Sequence, residues 1–194
     1  MKTKANEVSQ SQRILKAAIK CIAKKGYANA SLRDIADEAG VVLSQLNYYY
    51  NNKQGLFVEV VKRLSQQYLS EIENILQQGE TKREKTAALT EYFQKILKDN
   101  PELFKLLFDL SSMALWSDPL RELIDNFFQE VAMLIEKYIL QSKWQEDKRL
   151  KKYSRAVSRI MLGAMIGTSI QVVLAVDKEE LMDSLNAIQV IFAK

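Results

Sequence analysis

Four side chains in the stretch "VVLSQLNYYYNN" (residues 41–52) could do chemistry on a nucleic acid: Ser44, Gln45, Asn47 and Tyr48. Two are amides, one a hydroxyl and one a phenol ring, and none is charged. Amides and hydroxyls match the donors and acceptors on base edges, and a planar ring can cover a thymine methyl group. A face meant only for solvent would normally use Lys and Glu. Three consecutive tyrosines cannot all be core residues of one helix, because neighbours point about 100° apart. With Leu46 at the origin of a helical wheel, Leu43 falls at about 60° and Tyr50 at about 40°, so these three share an apolar face. Asn47 (about 100°), Ser44 (about 160°), Tyr48 (about 200°) and Gln45 (about 260°) point elsewhere, and Tyr49 (about 300°) lies at the border.

The elements that would present this face are readable on either side. "SQSQRILKAAIKCIAKKGY" predicts a first helix, with Ile14, Leu15, Ala18, Cys21 and Ile22 on one side and Lys16, Lys20 and Lys24 outside it. Gly26 suits its C-terminal stop. "SLRDIADEAG" predicts a short second helix, with Ser31 as N-cap, Asp34 near the positive helix end and Gly40 as terminator. A third helix begins within three residues of Gly40. Two short helices joined by a tight glycine turn follow helix-turn-helix grammar.

Composition narrows the function classes. The 194 residues contain 47% hydrophobic and 27% charged side chains, no histidine and one cysteine. Ser-His-Asp and Cys-His nucleophile systems are therefore absent, as are the usual zinc sites. No P-loop or G-x-G-x-x-G occurs, and "GAMIG" lies inside an apolar run, where its glycines suit close helix packing. No cofactor and no metal site is implied. A helical enzyme working with carboxylates alone is the remaining enzymatic reading, and nothing in the pattern points to it. Cys21 reads as a small core hydrophobe, and a single cysteine fits a reducing, cytoplasmic setting. The N-terminal "MKTKANEVSQSQR" has no apolar core and so is not a signal peptide. The run Ile160 to Val176 is interrupted by Thr168, Ser169 and Gln171 and is short for a membrane span of roughly 20 apolar residues, so it reads as a buried helix.

Charge is unevenly distributed. Residues 1–53 hold nine Lys/Arg and four acids, whereas the remainder holds nineteen and twenty. The net charge of +4 is thus an N-terminal property, which suggests a polyanionic partner at that end.

Only 6 Gly and 2 Pro in the chain favour long helices. After Asn52, a suitable cap, and Lys53, placed where a phosphate could meet a helix N-terminus, the spacing predicts helices over 54–78, 81–99, 101–117, 119–142, 148–176 and 178–192. "KWQEDKRLKKY" reads as an exposed connection and helix start. The fold class expected is all-α with about nine helices. A three-helix segment with the helix-turn-helix, expected to bind DNA, occupies 1–53, the helix from about 54 links the two parts, and a larger helical domain spans 54–194.

The residues "SLRDIADEAGVVLSQLNYYYNNKQGLF", preceded by "RILKAAIKCIAKKGYANA", resemble the N-terminal domain of the TetR family of bacterial transcriptional repressors over about residues 12–60. The resemblance rests on Gly26-Tyr27, the "RDIA" run at 33–36, Gly40-Val41, and Tyr49, Lys53 and Leu56. It implies that the helix from Leu43 to Tyr50 enters the major groove of a double-stranded DNA operator, with Ser44, Gln45 and Asn47 on bases and Tyr48 facing the duplex. It implies phosphate contacts from Tyr49 and Lys53, with Arg33 also near DNA. Leu43 occupies a position that sometimes reads bases, so packing and contact with a thymine methyl both stay open. The chain departs from the family at Val42, where Ser or Thr often caps the helix, and at Asn47, where Tyr is common. Base preference is therefore not carried over.

The resemblance further implies a C-terminal effector-binding and dimerisation bundle that binds a small apolar or amphipathic molecule. Candidate pocket residues are Phe93, Phe104, Phe108, Asp109, Met113, Trp116, Phe128 and Met165, with Trp116 foremost, although the aromatic and methionine set also suits ordinary core. Asp109, an acid within "LLFDLSS", could counter a cationic ligand, cap a neighbouring helix or face solvent. Gly163, Ala164, Gly167, Leu181, Leu185 and Ile188 are the candidates for a homodimer interface. Two copies reading a palindrome would supply the selectivity that one short helix lacks. The expectation is a ligand-released repressor, with no membrane partner. A DNA-binding regulator without a small-molecule ligand, constitutive or controlled by a protein, is the alternative.

Overall fold

The computed structural model describes residues 2–140 and 148–192, with side chains over 10–140 and 152–192. Its described residues form nine α-helices and no strand: α1 Lys2–Lys25, α2 Leu32–Ala39, α3 Leu43–Tyr49, α4 Lys53–Gln78, α5 Lys82–Asp99, α6 Glu102–Ala114, α7 Asp118–Ile135, α8 Lys148–Leu174 and α9 Glu179–Phe192. A π-helical turn, Glu136–Leu140, continues α7. The all-helical expectation and the helix count hold. Residues 141–147, most of the expected exposed connection, lie outside the described residues.

Local chemistry explains most boundaries. Thr81 caps α5 and forms a reciprocal box with Glu84, satisfying N–H groups that the first turn leaves unpaired. Pro119 sits in the first turn of α7, where its missing N–H costs nothing. α6 stops at Ala114, short of the expected 117. Leu115 and Trp116 donate to carbonyls only three residues back, which tightens the chain out of α-helical geometry. α1 instead runs beyond its expected start to Lys2, since Lys, Ala, Glu and Gln are good helix formers and nothing before Ser9 stops it.

The chain divides into two compact units, 1–65 with 105–124, and 66–104 with 125–194. This partition follows packing and differs from the functional boundary expected at 53/54, because α4 and α6 are each continuous helices divided between units. In the first unit α1, α2 and α3 pack on one another around Ile14, Ile22, Ile35 and Leu46, all essentially inaccessible. In the second, α5, α8, α9 and the π turn pack together. Gln94 ties α5 to α9 by donating to the Met182 carbonyl (3.0 Å) and to Asn186 Oδ1 (3.1 Å).

α8 corrects one expectation. The apolar run from Ile160 predicts a buried helix, yet Ile160 is 62% and Leu174 77% exposed, and Gly163 and Ala164 also face outward. Length and composition would let the stretch Lys152–Leu174 cross a bilayer. Here, however, one side packs on α5 and α9 and keeps the hydroxyls of Ser158 and Ser169 buried. Apolarity all around a helix signals burial somewhere; in this chain it covers only one side.

Candidate nucleic-acid interface

The interface is assembled on α2. Ser31 caps it by accepting from the Asp34 N–H (3.0 Å), while Asp34 accepts in return from the Ser31 N–H (3.0 Å). Hydrogen bonds from Ser31, then from Lys25, hold the Asp34 carboxyl well below the usual carboxylate range. At the other end Gly40 takes φ +63°, a left-handed conformation that favours glycine. Arg13 Nη2 seals that end by donating to the Ala39 carbonyl at 2.7 Å, and it lies 3.1 Å from where a Cβ on Gly40 would sit.

The turn launches α3 from Val42, which has no side chain able to cap it. Ser44 does not substitute for the missing cap. Leu46 is fully buried and acts as the pin of the helix, while Leu43 and Tyr50 are half-buried on the same side. Tyr50 has left the helix and donates its hydroxyl to the Ser11 carbonyl at 3.2 Å. Burying Leu46 contributes roughly 2 kcal/mol to holding α3 down. Ser44, Gln45, Asn47 and Tyr48 are all exposed, Tyr48 to 74%. The exposed face of the wheel is reproduced, while Tyr50 reaches the apolar side from just beyond the end of the helix.

Tyr49 sits at the border, its ring edge-on to Tyr48 (centroids 5.3 Å) and its hydroxyl donating to Gln10 Oε1 at 3.1 Å. Sequence reasoning missed Gln10 and Ser11. Nothing in a polar stretch preceding the apolar repeat of α1 signals that it meets two tyrosines nearly forty residues on. A cleft of about 490 Å³ opens there, lined mainly by Ser11, Tyr49, Tyr50, Asn51 and Asn52, with Glu59 at one wall. The expected cap at Asn52 is present, its Oδ1 accepting from the Gly55 N–H at 2.8 Å.

Lys53 is half-buried. Its ammonium donates to the Tyr27 carbonyl at 2.6 Å and lies 4.4 Å from the centre of the Tyr27 ring. Burial pushes its pKa down. A longer contact reaches the Ala28 carbonyl at 3.4 Å, so the cation is held by two carbonyls and a ring at the N-terminus of a 26-residue helix, with one N–H left for an incoming anion. Arg33, in the first turn of α2, is exposed.

The candidate pocket residues are divided between the two units. Phe93, Phe104, Phe128 and Met165 belong to the second unit, where Phe93 and Phe104 pack at 5.8 Å between centroids. Phe108, Asp109, Met113 and Trp116 belong to the first. Two of these depart from expectation. Trp116 is 89% exposed, because the tightened turn after α6 carries it out of the helix's apolar side. Asp109 acts locally, its carboxylate accepting from the Tyr27 N–H at 3.2 Å. It is also exposed, so it faces solvent while making this one contact with the turn after α1.

Among the interface candidates, Gly163 and Ala164 are exposed, and a Cβ added at Gly163 or Gly167 would meet no neighbouring atom. Leu181 is half-buried. Leu185 (0% exposed) and Ile188 (4%) are core residues of their own chain, on the side of α9 that faces α5 and α8. The outward apolar set instead includes Ile160, Leu174, Val190 and Ile191.

Residues 14–60 match the model of the family described as bacterial regulatory proteins, tetR family. The chain is 23% identical over 147 residues to "Probable HTH-type transcriptional regulator YttP" of Bacillus subtilis (strain 168), covering 76% of this chain and 69% of that one. It is 28% identical over 88 residues to the fatty acid metabolism regulator protein of the same organism, covering 45% of each. Its fold matches a TetR transcription regulator from Haloarcula marismortui ATCC 43049 with a TM-score of 0.81 at 20% identity, over 96% of this chain and 97% of that one. It also matches the transcriptional regulator FadR from Bacillus subtilis in complex with stearoyl-CoA, with a TM-score of 0.77 at 21% identity, over 94% and 97%. At such identities these structural matches are likenesses of fold.

Proposed function

We propose that the chain is a transcriptional regulator of the tetR family, whose model matches residues 14–60, and that it is a homodimeric repressor, released from a palindromic operator by an amphipathic small molecule. One observation carries the DNA-binding part: α3 is pinned by Leu46 and presents an exposed, uncharged face of Ser44, Gln45, Asn47 and Tyr48. Such a face gains little from water that a charged one would not, and it matches base edges in a major groove. Tyr49, Lys53 and exposed Arg33 flank it and would meet phosphates, fixing the register without reading sequence. Functionally, residues 1–53 are the reading domain, and 54–194 hold the effector and the second copy.

The outward face of α8, with Ile160, Gly163, Ala164, Gly167 and Leu174, supports dimerisation, since small residues let a second helix approach closely. Val190 and Ile191 on α9 extend the apolar surface, replacing Leu185 and Ile188 in the assignment. Dimerisation would set the two α3 helices about 34 Å apart, one turn of DNA.

The effector class draws support from two relatives, one named as a fatty acid metabolism regulator and one solved with stearoyl-CoA. A long-chain acyl thioester of that kind is amphipathic, and its chain would have to open a place among buried apolar side chains of the second unit such as Phe93, Phe104 and Met165. To act as a switch, it must bind the DNA-incompetent dimer better than the competent one. The test is to titrate stearoyl-CoA into the complex with operator DNA while following anisotropy, with calorimetry reporting binding separately. Release that tracks binding is expected. Binding without release would sink the inducer reading, and no binding would favour a regulator without this ligand.

A further inference from the structure

We propose that Asp109 is a positioning residue for DNA binding: through the backbone of Tyr27 it holds Lys53, the cation at the start of α4, where a phosphate would be met. The proposal rests on the phosphate-contact reading of Lys53 above.

All the groups involved lie in one compact unit, which joins residues 105–124 to 1–65. Asp109 reaches the turn that ends α1 from 82 residues further along the chain, its Oδ2 accepting from the Tyr27 N–H at 3.2 Å. The preceding Gly26 has φ +75°, and a Cβ there would stand 3.1 Å from the same oxygen, so the glycine both makes the turn and leaves room for the carboxylate. The carbonyl of Tyr27 accepts from Lys53 Nζ at 2.6 Å, and that ammonium also lies over the Tyr27 ring. The ring in turn meets Phe57 edge-on, with centroids 3.9 Å apart. Tyr27 is thus clamped at its N–H by α6 and at its carbonyl and ring by α4. A second strut from the same segment lands beside Lys53, where Gln54 Nε2 donates to Ser117 Oγ at 3.4 Å.

Stability alone does not explain an acid in this place. The C-terminal end of a helix is its negative pole, where a carboxylate is disfavoured and a cation preferred. Lys24 and Lys25 already occupy the last turn of α1, and Lys25 pairs with Asp34, not with Asp109. Among the described residues Asp109 has no ion-pair partner. What the carboxylate does secure is the orientation of the peptide whose carbonyl aims Lys53.

The test uses the full-length protein in fluorescence anisotropy on an operator duplex and a scrambled duplex across a salt series. The variants are Asp109→Ala, Asp109→Asn, Lys53→Ala and the double variant Asp109→Ala/Lys53→Ala, with thermal melts of each. Asp109→Ala should weaken binding to both duplexes about tenfold and make the salt dependence shallower by about one ion. Asn keeps an acceptor for the Tyr27 N–H, so Asp109→Asn should stay within about twofold of the parent. In the Lys53→Ala background, Asp109→Ala should have no further effect. Should Asp109→Ala fail to fold, Asp109→Ser, too short to reach Tyr27, carries the same expectations. Parent-like affinity and salt slope in Asp109→Ala, or losses that multiply in the double variant, would overturn the proposal. Failure of the parent protein to bind either duplex would overturn both this proposal and the reading of Lys53 beneath it.

Discussion

Helices α3 and α8 each leave a face without charge in contact with solvent, and the two faces could hardly differ more. α3 shows a serine, two amides and a tyrosine; α8 shows Ile160, Gly163, Ala164 and Leu174. A surface free of Lys and Glu invites a partner in either case, and the residue types separate the partners. Hydroxyls and amides lose little in water and find donors and acceptors on base edges. Small and branched apolar residues gain only when water is removed, as by a second helix. The underlying packing also differs. The first unit has no buried polar side chain among its described residues, whereas the second buries Thr86, Thr90, Ser154, Ser158 and Ser169. Thr86, Thr90, Ser158 and Ser169 turn their hydroxyls onto carbonyls of their own helices, and Ser154 donates to Glu136 on the π turn.

The contrast can be broken most forcefully at α8. Placing charge on its small-residue face with Gly163→Glu and Gly167→Glu should yield a monomer by light scattering and weaken operator binding about a thousandfold, because the two half-sites are no longer linked. Binding to a scrambled duplex should change far less. Next come the pins beneath each surface. Leu46→Ala and Leu185→Ala each empty a fully buried site and should each cost about 3 kcal/mol in denaturant unfolding. Leu185→Ala should leave the dimer intact, in contrast to the α8 pair. Tyr50→Phe removes a hydrogen bond to the Ser11 carbonyl and should cost about 1 kcal/mol, with a small loss of affinity on any duplex.

The smallest effect is one of pH, and it marks the second unit. Burial first, then the charge of Glu71, pushes the Tyr68 phenol up to about 12. Tyr92, half-buried and donating to Glu71 at 2.6 Å, is pushed up as well. A phenol whose folded pKa exceeds its unfolded value of about 10 stabilises the fold below that pH, and the contribution is lost as pH rises through the folded pKa. Melting temperature should therefore fall between about pH 10 and 12, and Tyr68→Phe should flatten the decline.

The first unit is readable in the sequence because its signals are local. A capping box needs Ser31 and Asp34 three residues apart, a left-handed turn needs Gly40, and the face of α3 needs only a 3.6-residue period. The second surface is readable in type but not in membership. Which side of α9 faces inward depends on α5, about 90 residues away, so the sequence marks the stretch from Leu181 to Ile191 for pairing without separating buried Leu185 and Ile188 from exposed Val190 and Ile191. Trp116 misleads because the helical period continues on paper through a turn that has already ended α6. Asp109 offers no periodic signal at all, since its partner is a backbone N–H 82 residues earlier.

The most direct test of the central claim is to compare the parent protein and Gln45→Ala by fluorescence anisotropy on DNA from upstream of its own gene and on a scrambled duplex of equal length. If the face of α3 reads bases, the parent prefers the upstream duplex and Gln45→Ala loses about 1–3 kcal/mol there while binding the scrambled duplex unchanged. An equal loss on both duplexes, or none on either, would contradict it.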